Sequence, residues 1–274
     1  MRLYPDIGAL WTGIFTVLLL CLAMPLSAAD NGTPVISIII DDMGYRLKEG
    51  RVALALPGAV CYSFLPFTPN GARLAETANA LGKDILLHMP MEAEQHNRLL
   101  GPGALRNDMS QAEMITTLRT ALESVPRAIG INNHMGSLLT TQADKMQWVM
   151  HEIHRHAGLF FVDSRTTTGT VAGEIALEQG IPSISRDVFL DDDPDPAAIR
   201  AQFQRLIAKA RAQGYALAIG HPHPQTLAVL AAELPQLEQR HGVRLVRLGN
   251  LVKLEERHPK WQLSLSRSPK AAKN

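Results

Sequence analysis

The chain has 274 residues, of which 46% are hydrophobic, so it is long enough to bury the core of a single globular domain of about 240 residues. Its 27 basic and 26 acidic residues leave a formal net charge of +1. This balance gives no electrostatic reason to expect nucleic acid as a partner.

The N-terminal segment differs in character from the rest of the chain. An uncharged apolar stretch from Ile7 to Leu26 follows Arg2 and precedes three small residues that end at Ala29. This order is typical of an export signal, so residues 1–29 are predicted to be a signal peptide and the protein to be periplasmic or otherwise exported. A stretch of about 20 apolar residues is also long enough to span a bilayer, so a retained anchor is the alternative, and it would be the only contact with a membrane.

After removal of such a signal, Cys61 is the only cysteine left. An intramolecular disulfide is then excluded, and an unpaired buried thiol is the expected state.

From Val35 onward, short β-branched runs alternate with helical stretches. The predicted strands are Val35 to Ile40, Val60 to Phe64, Asp84 to Leu87, Ala128 to Ile131, Leu159 to Val162, Ser183 to Ser185, Tyr215 to Ile219 and Arg244 to Leu248. The predicted helices are Leu47 to Leu56, Ala72 to Leu81, Gln111 to Ser124, Ala143 to His156, Val171 to Gln179, Ala197 to Gln213 and Pro224 to Arg240.

Strands that are apolar almost throughout and alternate with helices indicate a parallel sheet covered by helices. The predicted fold class is therefore α/β, an irregular (β/α) barrel of seven to eight parallel strands formed by residues 30–252. Residues 253–274 are predicted to be a basic polar tail. The longest irregular stretch within the barrel runs from Met91 to Met109, and a loop of that length is often functional.

Polar residues that suit a hydrolytic site follow several of the predicted strands. They are Asp41-Asp42, His88, Asn132-Asn133-His134, Asp163-Ser164-Arg165 and His221-Pro222-His223. In a parallel barrel the carboxyl ends of all strands meet at one rim, where such enzymes keep their sites. Asp and His are the ligand types of a hydrolytic Zn²⁺ site with a position left open for water, so the sequence predicts zinc or another divalent metal at this rim.

The motifs ISIIIDDMG, LLHMPME, GINNHMGS, FFVDSRT and AIGHPHP carry a resemblance to a known family. In this order they resemble the divergent polysaccharide deacetylases, distant relatives of the NodB-type carbohydrate deacetylases, over roughly residues 34–252. The resemblance implies the irregular barrel, a bound metal ion and a polysaccharide or peptidoglycan-type glycan as substrate.

The resemblance also implies roles for individual residues. In the related deacetylases the first Asp of the pair is the general base and the second binds the metal, which suggests Asp41 and Asp42. A second His follows the first by four residues there, whereas here His88 has Glu92 at that spacing. Either Glu92 or His134 has to replace that ligand, and we favour His134 because it ends the adjacent strand.

His221 matches the histidine that protonates the leaving group in those relatives. Two roles stay open for the residues that follow the fifth strand: Asp163 could orient His221, or Arg165 could hold Asp41. The arginine-proline segment usual after the fourth strand is replaced by NNHMGS, so substrate contacts do not transfer.

The predicted function is thus an exported metal-dependent deacetylase that acts on acetylated cell-envelope polysaccharide. One alternative is a catalytically inactive glycan-binding or partner-binding protein on the same barrel. A glycosidase that uses Asp41 with Asp163 as its two carboxylates is another.

Other polar clusters have simpler explanations. The acidic run Asp191 to Asp195 precedes a helix, where carboxylates cap and complement the helix dipole, with calcium binding as the alternative. His151, His154 and His156 are expected on a solvated helix face, because their spacing is not that of a two-histidine site. His223 is equally compatible with a structural and a functional role.

Overall fold

The computed structural model describes residues 32–257. The predicted signal peptide, residues 1–29, and the predicted tail beyond Arg257 lie outside the described residues. Within residues 32–257, no helix is both long enough and apolar enough to cross a bilayer.

The described part of the chain contains nine strands and nine α-helices. The strands are β1 (Val35–Met43), β2 (Cys61–Phe64), β3 (Ile85–Met91), β4 (Gly130–Met135), β5 (Phe160–Asp163), β6 (Ser183–Ser185), β7 (Val188–Phe189), β8 (Tyr215–Gly220) and β9 (Arg244–Leu245). The helices are α1 (Leu47–Leu54), α2 (Gly71–Ala80), α3 (Gln111–Ser124), α4 (Ala143–Arg155), α5 (Ala172–Glu178), α6 (Pro196–Gln213), α7 (Pro224–Glu233), α8 (Leu237–His241) and α9 (Leu248–Glu256).

The strands form one parallel sheet in the order β6-β5-β4-β3-β2-β1-β8-β7. β6 and β7 are the two ends of this path and, within the described residues, do not pair with each other, so the barrel is open between them. The short β9 pairs with the start of β1. The predicted (β/α) barrel is therefore confirmed, in an open form.

Side-chain alternation along the strands divides the core into two layers. On β1, Ile36, Ile38 and Ile40 pack outward against the helices. The intervening Val35 and Ile39 point into the barrel and belong to a second cluster, whose members on other strands include Cys61, Leu86, Val162, Leu217 and Ile219. Period-two alternation explains this division, and it makes the next inward positions along each strand the site-forming ones.

Helix α9 contributes Leu248, Leu251 and Val252 to the inner cluster. Apolar side chains thus fill the barrel at the amino-terminal ends of the strands, and polar inward-facing residues occupy the carboxyl ends of the strands. Cys61 is buried in this cluster as a free thiol.

Two start signals read from the sequence are present as predicted. Ser110 and Glu113 form a capping box at the start of α3. Asp195 caps α6 by accepting hydrogen bonds from the backbone N–H groups of Ala197 and Ala198.

Three elements differ from the prediction. The predicted last strand shortens to β9, and Leu248 is the first residue of α9. The apolar residues of α9 recur at helical spacing, which allows them to pack in the barrel interior. The proposed boundary at residue 252 therefore falls inside a helix. The predicted helix Pro224 to Arg240 is interrupted at Leu234–Gln236, where Pro235 lacks an N–H group. The short strand β7 was not predicted.

The stretch from Met91 to Met109 is held by defined contacts. Met91 still belongs to β3, and the backbone of Leu105 bonds to Pro90 and Glu92. The carboxylate of Glu92 accepts a hydrogen bond of 2.6 Å from the backbone N–H of Asn107. These contacts tie both ends of the loop to the end of β3, at the rim.

A buried ion pair between α3 and α4 allows a stability prediction. Glu152 is 1% exposed and accepts hydrogen bonds of 2.6 Å and 3.0 Å from the guanidinium of Arg119. Burial opposes its ionisation, but these bonds and one from His156 outweigh burial and lower the pKa of Glu152. A lowered carboxyl pKa contributes stability above the ordinary value of 4.5, and that stability is lost as the pH falls through the lowered pKa.

We therefore expect Glu152→Gln to reduce the free energy of unfolding by about 1–2 kcal/mol at neutral pH. The difference from wild type should shrink as the pH is lowered below 4.5 and through the lowered pKa of Glu152. Urea unfolding at several pH values measures this, with Glu123→Gln on the exposed face of α3 as the matched control. A pH-independent difference would contradict the electrostatic explanation.

Candidate functional site

The end of β1 has an irregular backbone that directs two consecutive aspartates to the same rim. The register between β1 and β2 shifts between Ile40 and Met43, and Asp42 has a left-handed backbone with φ of 55°. In a regular strand, neighbouring side chains point to opposite faces, so Asp41 and Asp42 would be separated. The bulge re-aims Asp42, as bulges beside active sites often do.

Three donor atoms from three strands converge beside Asp41. Oδ1 of Asp42 lies 3.3 Å from Nε2 of His88 and 3.0 Å from Nδ1 of His134, and the two ring nitrogens lie 3.1 Å apart. In a tetrahedral zinc site with bonds of about 2.0–2.1 Å, donor atoms are about 3.3–3.4 Å apart. Oδ1 of Asp42 is buried without a well-formed hydrogen bond, as expected of an atom that binds a cation. The three residues fit a divalent metal with one position left open.

Asn132 is the hydrogen-bonding centre of the site. Its amide nitrogen donates to both carboxylate oxygens of Asp41, at 2.9 Å and 3.0 Å. Its amide oxygen accepts from the hydroxyl of Ser63 at 2.5 Å and lies 2.9 Å from Nδ1 of His88. Because that oxygen only accepts, Nδ1 of His88 carries the proton and Nε2 offers its lone pair to the donor cluster.

His221 faces the donor cluster from β8 and is oriented by Asp191. Oδ1 of Asp191 lies 3.0 Å from Nδ1 of His221, and Oδ2 accepts hydrogen bonds from the His221 backbone N–H and the hydroxyl of Thr226. The other ring nitrogen, Nε2, lies 3.9 Å from Oδ2 of Asp42. The imidazole is thus fixed with one nitrogen towards the site.

The ionisation of these groups follows from burial and from their neighbours. Burial raises the pKa of Asp41, against the opposing influence of His88 and His221. Burial also opposes ionisation of Asp42, but the adjacent imidazoles of His134 and His88 outweigh burial and hold the pKa of Asp42 well below its usual range. For His221, the bond to Asp191 and the nearby carboxylates overcome burial and raise the pKa to about 9.

The site lies between two cavities that open at the rim. One, of about 650 Å³, is lined by Asp41 and His88 together with arginines of the β5 to β7 region and α6. The other, of about 640 Å³, is lined by Asp42 and by apolar residues such as Tyr45, Leu65 and Leu99. His134 and His221 line both cavities, so a ligand that extends across the site would contact both.

Two predicted site residues have other partners than expected. Asp163 points to the helix-facing side of β5, where its carboxylate accepts from the backbone N–H of Arg165 and the hydroxyl of Thr170. Asp191, and not Asp163, orients His221. Arg165 lines the first cavity, but Asn132 and not Arg165 holds Asp41. Strand alternation explains the first correction, since Val162 takes the inward position next to Asp163.

The direction in which Asp163 points also bears on the glycosidase alternative. Such an enzyme needs two carboxylates across one cleft. Because Asp163 does not line the cavity of Asp41, that pair is not formed.

The other two candidate ligands, Glu92 and His223, do not belong to the donor cluster of Asp42, His88 and His134. Glu92 binds the loop backbone at Asn107, and His134 takes the place beside His88. His223 could share a cation with Asp191 and His221, but these two are already hydrogen-bonded to each other.

The sequence patterns did not predict the roles of Asn132, Ser63 and Asp191. The period-two alternation of strand side chains could have indicated Asn132 and Ser63, because each lies two positions along its strand from an inward-facing residue. Asp191 gave no such signal, since it lies at the start of an acidic run before α6 and its contact with His221 is made across β7 and β8.

Comparison with known proteins assigns this architecture to a family. Residues 38–252 match the model of the divergent polysaccharide deacetylases. An uncharacterized protein of Haemophilus influenzae is 41% identical over 221 residues, which cover 81% of this chain and 78% of that protein. The uncharacterized protein YibQ of Escherichia coli is 42% identical over 212 residues, which cover 77% of this chain but only 64% of YibQ. The chain therefore belongs to the divergent polysaccharide deacetylase family.

Solved structures support the fold. An uncharacterized protein of Agrobacterium tumefaciens C58 superposes with a TM-score of 0.77 at 23% identity, covering 83% of this chain and 92% of that one. The catalytic domain of a peptidoglycan N-acetylglucosamine deacetylase from Eubacterium rectale superposes with a TM-score of 0.51 at 12% identity, covering 79% and 89%. At these identities the likeness concerns the barrel alone.

Proposed function

We propose that the protein is an exported, metal-dependent hydrolase that removes acetyl groups from a cell-envelope polysaccharide. The observation that carries this proposal is the convergence of Asp42, His88 and His134 beside a further carboxylate, Asp41, which is not one of the three donors. The family and the deacetylase domain with a similar fold support a glycan as substrate. The apolar stretch before Ala29 is the basis for export.

Asp42, His88 and His134 would hold the metal ion, for which zinc fits the ligand set best. Bound there, a divalent cation would lower the pKa of a water molecule towards about 7 and polarise the acyl carbonyl. The hydrogen bond from Nδ1 of His88 to Asn132 keeps His88 in the tautomer that would present Nε2 to the ion.

Asp41 acts as the general base in this proposal. Its carboxylate is fixed by Asn132, and its Oδ2 lies 3.6 Å from Nε2 of His88, so it is adjacent to the donor cluster without being one of the three donors. It removes a proton from the attacking water, whose oxygen forms a bond to the acyl carbon.

His221 supplies the proton that the departing sugar nitrogen or oxygen needs. Its hydrogen bond to Asp191 directs Nε2 towards the site, and this bond and the nearby carboxylates raise the pKa of His221 to about 9, which favours the protonated ring. When the acyl bond breaks, that proton passes to the leaving group, and acetate and the free sugar amine or hydroxyl are the products.

The direct test measures zinc content and acetate release on the mature protein. We expect about one bound ion per chain and acetate release from acetylated peptidoglycan or a related envelope glycan, abolished by a chelator and restored by zinc. Absence of both bound metal and acetate release, with retained binding to the glycan, would favour the inactive glycan-binding alternative.

Replacement of His221 tests the acid separately from the metal. We expect His221→Ala to lower acetate release from an N-acetylated glycan by about 100-fold, because an amine leaves poorly without a proton. Hydrolysis of 4-nitrophenyl acetate should fall much less, because its leaving group departs as an anion. Equal losses on both substrates, with zinc retained, would contradict the role of His221 as acid.

A further inference from the structure

The cavity of about 650 Å³ beside Asp41 is lined by three arginines from different parts of the fold. Arg165 follows β5, Arg186 lies between β6 and β7, and Arg205 belongs to α6. All three line the same space as Asp41, His88 and His221. A pocket that contains three guanidinium groups therefore adjoins the proposed reaction centre directly.

Arg165 has a backbone conformation that the surrounding residues enforce. Its φ of 48° lies in the left-handed region, which is unfavourable for a residue with a long side chain. The carboxylate of Asp163 accepts a hydrogen bond of 2.8 Å from the N–H of Arg165, and Nη2 of Arg186 donates one of 2.8 Å to its carbonyl oxygen. Asp163 is thus a positioning residue for Arg165. This role gives the buried carboxylate of Asp163 a partner at the end of β5.

The positive charge of the pocket is only partly compensated. Within the described residues, the side chains of Arg165 and Arg205 form no salt bridge or hydrogen bond, and both residues are exposed. The guanidinium of Arg186 donates to the neutral carbonyl oxygens of Ser164 and Arg165. Two further acidic residues line the pocket: Asp187 pairs with Lys209 at 3.3 Å, and the exposed Asp192 interacts electrostatically with Arg186.

We propose that this pocket binds a carboxylate of the substrate, so that the enzyme acts on an acidic glycan whose carboxylate lies near the acetyl group. The inference rests on the proposed function, which it narrows to acetylated sugars of this kind. Guanidinium groups bind carboxylates through paired, charge-assisted hydrogen bonds. The nearby Asp41 and Asp192 disfavour a doubly charged phosphate more than a singly charged carboxylate.

N-acetylmuramic acid carries an acetyl group and a carboxylate on one sugar, so the disaccharide of N-acetylglucosamine and N-acetylmuramic acid is a suitable probe. Its binding, and that of its methyl ester, can be measured by calorimetry on the zinc-loaded Asp41→Asn protein, in which we expect hydrolysis to be about 10²–10⁴-fold slower. We expect the acid to bind about tenfold more tightly than the ester. Arg165→Gln and Arg205→Gln should each reduce that ratio, and the double variant should bring it close to one.

Arg200→Gln, on the same helix α6 but outside the pocket, is the control and should leave the ratio unchanged. Equal binding of acid and ester, or an unchanged ratio in the double variant, would overturn the inference. Stronger binding of N-acetylglucosamine 6-phosphate than of N-acetylmuramic acid would overturn the choice of a carboxylate. Because calorimetry measures binding and not acetate release, these outcomes are independent of whether acetate release is found.

Discussion

Replacement of His134 by alanine is expected to remove the bound zinc and, with it, all measurable acetate release. His134 and Asp42 lie at the shortest donor distance in the cluster, 3.0 Å, and two remaining protein ligands hold zinc poorly. Changes to residues that only orient ligands weaken metal binding by about 10–100-fold, so loss of a ligand itself should exceed about 100-fold. Elemental analysis of the purified variant, alongside the activity assay, measures both effects.

Asp42→Asn is the companion variant, chosen because asparagine tolerates the left-handed backbone found at this position. It should also lose zinc while keeping the fold, which circular dichroism can verify. His154→Ala, at an exposed position on α4, is the matched control and should keep both zinc and activity. If His134→Ala and Asp42→Asn each retained one zinc ion per chain, this donor cluster would not be the metal site.

Asp41→Asn is expected to retain zinc but to lower acetate release by about 10²–10⁴-fold, the usual contribution of a general base. Asparagine preserves the size of the side chain and can still accept the hydrogen bond from Asn132, but it cannot take up a proton. The combination of full metal content and lost turnover separates Asp41 from Asp42, although the two are adjacent in sequence. Single-turnover assays on zinc-loaded protein are the decisive measurement.

Activity of Asp41→Asn close to that of wild type would contradict the assignment of the base. The proton acceptor would then have to be sought elsewhere in the cavity, where Asp192 is an exposed carboxylate. Loss of zinc in this variant would instead mean that Asp41 is a fourth ligand, and the two results are distinguishable by elemental analysis.

The register of β3 and β4 explains how His134 comes to lie beside His88 although Glu92 stands where the related deacetylases have a second histidine. Where those proteins have a second histidine four residues after the first, this chain has Glu92, which binds the loop backbone instead. β3 and β4 pair so that His88 lies opposite Asn132, and His134 stands two positions further along β4. Two positions along a strand return to the same face, so His134 faces the site beside His88.

Local sequence patterns determined most of the secondary structure and the end of the barrel at which the polar residues gather. β-Branched runs separated by amphipathic stretches predicted the strands, and the Ser110-Glu113 box and Asp195 predicted two helix starts, because these signals depend on neighbours within a few residues. The polar residues at strand ends predicted the rim that brings Asp42, His88 and His134 together, because parallel strands place their carboxyl ends on one side.

The tertiary structure alone decided which of these side chains meet. The bulge that turns Asp42 towards His88 depends on the pairing of β1 with β2, and the partner of His221 depends on a contact across β7 and β8 that makes Asp191 its neighbour instead of Asp163. The pocket of Arg165, Arg186 and Arg205 likewise joins residues from separate connections and α6. Such contacts are fixed by packing between distant segments, and no pattern of neighbouring residues encodes them.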